Sequence, residues 1–98
     1  MHVRVAFAWK APKRSHTARG DGLSQDISAE GISIVSFAPP PPVGSLITYE
    51  ARLPGLEEGG TTNLRLTAVG RVVRSEVLPQ RNAAAFAIHA RRVSLYSD

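Results

Sequence analysis

The chain has 98 residues, 43% hydrophobic and 20% charged, with a net charge of +4 and no cysteine. That balance fits one folded domain and argues against disorder. The missing thiol excludes disulfides, zinc–thiolate sites and thiol catalysis, and no apolar run approaches the roughly 20 residues that span a bilayer.

Val3, Val5, Phe7 and Trp9 alternate with His2, Arg4, Ala6 and Ala8. A period of two predicts a strand with one buried face, and Trp9 at its end is expected to pack in the core rather than stack on a base. A secretory leader is continuous where this segment alternates, so no leader and a cytoplasmic location are expected. Lys10 to Gly22 is polar, carries Pro12, Gly20 and Gly22, and predicts a loop bearing Lys13, Arg14 and Arg19. Leu23 to Ser28 predicts a short second strand. Gly31 then permits a tight reversal or an unusual backbone angle.

Ile32 to Phe37 is β-branched and apolar and predicts a third strand, which Pro39 to Pro42 terminates because proline cannot donate to a ladder. Leu46 to Leu53 alternates again, with Ile47, Tyr49, Ala51 and Leu53 on one face. Pro54 to Thr62 predicts a flexible turn. Leu64 to Val77 predicts one long strand in which Gly70 marks a bulge or bend. Leu78 to Arg81 predicts a turn, and Ala83 to Val93 a last strand with Ala84, Phe86, Ile88 and Ala90 on one face. Six short strands with turn signals between them imply a small closed barrel or a sandwich.

The most informative run is Asp26-Ile27-Ser28-Ala29-Glu30-Gly31. It reads Asp-x-Ser-x-x-Gly and lies between two predicted strands, where a rigid scaffold holds polar groups for binding. Asp, Ser and Gly are also ordinary turn residues. With the ordered strands around it, together with Pro42-Val43-Gly44, Gly70-Arg71-Val72-Val73-Arg74 and Ala85-Phe86-Ala87-Ile88, the run resembles the PilZ domain family. Those segments span nearly the whole chain.

The resemblance implies an all-β fold, a small six-stranded antiparallel barrel with little or no helix. It also implies a bacterial signalling module that binds cyclic di-GMP, with Asp26 and Ser28 touching the ligand and Gly31 holding the turn. Cyclic di-GMP offers two phosphates and two guanines, which guanidinium groups grip in bidentate fashion. Ten of the twelve cations here are arginine, a bias that a GC-rich genome also produces. The family's clamp, Arg-x-x-x-Arg before the first strand, is not spelled in this chain. Arg4 stands about where its second arginine would fall, and Arg14 and Arg19 are one residue too far apart. Arg4, Arg14, Arg19 and Arg71 are therefore the candidate cations. Arg71 and Arg74 read equally as outward strand residues with solvated heads.

The missing clamp also admits a second reading, a PilZ-like barrel that binds a protein partner instead of the nucleotide. Nucleic acid is not the expected partner: single-strand binders stack bases on exposed aromatics, and most of the six aromatics here fall on apolar faces. No catalytic residue, metal or cofactor is expected. His2, His16 and His89 lack metal-ligand spacing. Glu57 and Glu58 sit in a Gly-rich turn, and Ser28 has no histidine at nearby positions to complete a triad.

Overall fold

In a computed structural model, residues 2–10, 16–37, 39–54 and 63–97 are described. Six antiparallel strands, β1 (Arg4–Lys10), β2 (Thr17–Ser28), β3 (Gly31–Ser36), β4 (Leu46–Pro54), β5 (Asn63–Leu78) and β6 (Ala83–Ser97), close into a barrel in the order β1-β2-β3-β6-β5-β4. A 3₁₀ turn, Pro79–Arg81, links β5 to β6, and Asn82 leaves it in the left-handed conformation with φ 50°. The predicted fold class is the observed one. The loop predicted for Pro54 to Thr62 is described only at Pro54, which ends β4; the rest lies outside the described residues.

The period-two pattern is what fills the barrel. Val5 and Phe7, Ile32 and Ile34, Ile47 and Tyr49, Leu66 and Ala68, and Phe86 and Ile88 all point inward and form one buried cluster. Phe7 and Phe86 meet edge to face at its centre, with centroids 5.1 Å apart and rings inclined by 73°. Trp9 packs against the cluster from the rim, as its place in the alternation predicts.

Two expectations need correction. Thr17 to Gly22 is not loop: it forms the first half of β2, paired with β1 from Arg4↔Leu23 to Lys10↔Thr17. Its glycines mark crowding. A side chain at Gly20 would meet the Phe7 ring at 2.7 Å, and one at Gly22 would meet the Val35 carbonyl at 2.6 Å. Gly31, in turn, does not supply an unusual backbone angle. Among the described residues only Asn82 and Gly44 have positive φ. A Cβ on Gly31 would fall onto the Ile88 carbonyl oxygen of β6, so this glycine lets two strands pass closely.

Bulges break the alternation where charged residues would otherwise enter the core. On β2 the pairing jumps from Ser24↔Ile34 to Asp26↔Ser33. Gln25 is thus an extra residue, and the faces swap after it. Ser24 is fully buried, so Asp26, two residues on, would also point inward without the bulge. Instead Asp26 is exposed and Ile27 packs on the core. On β5 the pairing jumps from Val72↔Ile88 to Arg74↔Ala87. Val72 is 1% exposed and Val73 is 56% exposed, and Arg74 is turned outward in the same way. Of the bulge or bend expected at Gly70, a bulge is present there, but its extra residue is on the partner strand: β6 carries Arg91 opposite Val69 and Gly70.

Candidate functional site

The Asp-x-Ser-x-x-Gly run is the β2–β3 hairpin. Ser28 pairs with Gly31, leaving Ala29 and Glu30 as a two-residue turn. The Ser28 hydroxyl accepts the Glu30 N–H at 3.3 Å and donates to the Gly31 carbonyl at 3.5 Å. This is the local bonding by which a serine stabilises a turn. Both bonds are long and exposed, and the hydroxyl remains open to solvent. β6 grips the hairpin from the other side: the Ala90 N–H donates to the Glu30 carbonyl at 2.8 Å, and His89 stands opposite Gly31.

Register carries this hairpin across the outer face of the sheet. Asp26 pairs with Ser33, Ser33 with Ala87, and Ala87 with Arg74. Four neighbouring strands thus present Asp26, Ser33, Ala87 and Arg74 in one row. The middle positions are small, so the row forms a trough with Asp26 on one bank and Arg74 on the other. It opens into a cleft of about 880 Å³ that is also lined by Gln25, Val35, Ala85 and Glu76 and ends at Leu78, Pro79 and Arg81. A smaller depression of about 200 Å³, lined by Asp26, Ser28, Glu30, Gly31 and Ser33, adjoins it. Asp26 and Ser33 line both.

The candidate cations from the sequence are dispersed. Arg4 is exposed on the same outer face, paired with Leu23, but does not line the cleft. Arg71 does not line it either; its guanidinium donates to the Gly44 carbonyl at 2.9 Å, while the Gly44 N–H donates to the Val72 carbonyl at 2.8 Å. That pair fastens the Pro42-Val43-Gly44 turn to β5. Arg19 faces a different groove of about 430 Å³, where the row Arg19, Ala8, Thr48, Val69, Arg92 crosses the other side of the barrel. Arg14 lies outside the described residues. The cations that do line the cleft are Arg74 and Arg81. Arg81 was legible only as a turn residue, and Arg74 as one of two outward strand arginines.

His2 and Val3 are tied to β2. The Val3 N–H donates to the buried Ser24 hydroxyl at 2.8 Å, the Ser24 N–H donates to the Val3 carbonyl at 2.9 Å, and the His2 ring lies 2.8 Å from the Ser24 carbonyl. Ser24 immediately precedes the bulge that aims Asp26, so these bonds also brace the site. Among the described residues no cluster of His, Asp or Glu is arranged to hold a metal ion, and no helix is long and apolar enough to cross a membrane.

Compared with known proteins, the chain matches no family model, no curated protein and no solved structure.

Proposed function

We propose that the barrel is a non-enzymatic receptor module for cyclic di-GMP, as the resemblance of its Asp-x-Ser-x-x-Gly run to PilZ domains implies. The observation that carries this reading is the placement of Asp26. A bulge turns it out of the core onto a small-residue trough, beside Ser28 and within a cleft that holds two arginines. Asp26 and Ser28 offer acceptors for the N–H groups of a guanine. Arg74 and Arg81 offer forked donors for phosphate and purine acceptors, charge-assisted contacts of the stronger kind. These two take over part of the work of the clamp that the N-terminal sequence does not spell.

Calorimetric titration of the purified protein with cyclic di-GMP tests the reading. Saturable heat with a micromolar or tighter Kd is expected, about 8 kcal/mol of binding free energy. Asp26→Ala lowers the affinity by about tenfold or more, the scale of one hydrogen bond to a charged group. The absence of heat at high micromolar ligand would overturn it.

A protein-binding module is the second reading, and one surface favours it. Phe37 is 82% exposed and borders a shallow apolar depression with Pro39, Pro40, Val77, Leu78 and Pro79. Contiguous exposed apolar surface is where interaction sites form. This reading replaces the first if no cyclic dinucleotide binds and Phe37→Ser abolishes association with a partner while leaving the melting temperature unchanged.

A further inference from the structure

The banks of the trough share a structural device. Asp26 follows the extra residue Gln25 on β2, and Arg74 follows the extra residue Val73 on β5. Each bulge re-aims one charged side chain from the core face to the outer face. The two then fall on the same row, separated only by Ser33 and Ala87. Three strand spacings of about 4.8 Å put their backbones roughly 14 Å apart. A planar heterocycle hydrogen-bonded on two adjoining edges can bridge that interval over the cleft between them, which Ser33, Val35 and Ala85 line.

Guanine has the complementary edges. Its O6 and N7 are acceptors that an arginine fork meets in bidentate fashion, and its N1–H and N2–H₂ are donors that a carboxylate accepts. Adenine places an amino donor next to N7 and offers no N1–H, so it mismatches both banks. We infer that Arg74 is a specificity-determining residue of the site, reading the O6/N7 edge of a guanine whose adjoining N1–H/N2–H₂ edge is held by Asp26. The inference rests on the cyclic dinucleotide reading above and deepens it. Arg81, at the end of the cleft, is left to meet phosphate and contributes charge without base selectivity.

The test titrates the wild type, Arg74→Gln, Arg74→Lys and Arg81→Gln with cyclic di-GMP and with cyclic di-AMP. Arg74 and Arg81 are both exposed, and unchanged melting temperatures confirm that the variants fold. The wild type is expected to prefer the guanine ligand. One bidentate contact is worth roughly 5- to 150-fold in base discrimination, and Arg74→Gln is expected to lose that factor. Glutamine pairs with the N6/N7 edge of adenine, so cyclic di-AMP binding holds or improves in this variant. Arg74→Lys keeps the charge without the fork and loses selectivity too, whereas Arg81→Gln weakens both ligands alike. If the wild type binds the guanine ligand but Arg74→Gln weakens both ligands equally, the edge-reading role is overturned and the receptor reading stands. If the wild type binds neither ligand, the receptor reading falls and this inference with it.

Discussion

Gly31→Ala is the sharpest probe of how the hairpin is built. The added Cβ would fall onto the Ile88 carbonyl oxygen, 3.1 Å from the Ile88 carbonyl carbon and 3.4 Å from the His89 Cα. Every one of these atoms is backbone, so no rotamer change relieves the contact and β3 must part from β6. Overpacking of this kind costs about 1–3 kcal/mol. The neighbouring bond from Ala90 N–H to the Glu30 carbonyl, 2.8 Å long, adds about 1 kcal/mol if it breaks. Alanine recovers about 0.4–1 kcal/mol by restricting the unfolded chain. The net loss is therefore about 1–3 kcal/mol, or roughly 5–20 °C in Tm for a domain of this size. Urea unfolding followed by circular dichroism, with thermal melting alongside, measures it. Gly44→Ala is the control. Gly44 has φ +93°, and a Cβ there would have nothing within 4 Å. Its cost is conformational strain alone, about 1–2 kcal/mol, without the strand separation. A Gly31→Ala variant within about 0.5 kcal/mol of wild type refutes the close-approach role.

Three further outcomes are expected. Deleting Gln25 makes Asp26 follow Ser24 in continuous register, which leaves Asp26 outward and Ile27 inward; the Tm is expected to change little, and a steep drop would contradict the reading of Gln25 as the extra residue. Phe86→Ala removes half of the central aromatic pair, at 2% exposure, and costs about 3–5 kcal/mol by chemical denaturation. Tyr49 is buried, and burial raises its phenol above the ordinary 10.0. The unfolded chain releases that proton first, so stability is untouched below about pH 10 and falls above it. Tyr49→Phe removes this part of the alkaline loss, and an identical pH profile for the two proteins would count against it.

Much of the fold was legible because alternation is a direct record of burial. Ile47, Tyr49 and Ala51, or Phe86 and Ile88, announce their face wherever the strand is regular. Thr17 to Gly22 escaped this logic because its inward positions include Gly20 and Gly22. Glycines fit there because the Phe7 ring and the Val35 carbonyl occupy the space, and a missing side chain leaves no hydrophobic signal. The site was only half legible. The Asp26 to Gly31 run stood out as a polar cluster between strands, but its partners are set by register across four strands. Ser33 and Arg74 join Asp26 only through the pairings of β2 with β3, β3 with β6 and β6 with β5. Arg71 and Arg74 looked alike in sequence; the bulge at Val73 and the Gly44 carbonyl separate them, one facing the cleft and the other fastening a turn.

Whether the outer face around Asp26 receives the ligand is tested most directly by backbone amide chemical-shift mapping during titration with cyclic di-GMP. Shifts are expected to concentrate on Gln25 to Gly31, Ser33, Arg74 to Arg81 and Ala85 to Ala87, with Arg19, Thr48 and Arg92 unmoved. Shifts centred on the Arg19–Arg92 groove, or none at saturating ligand, would contradict that placement.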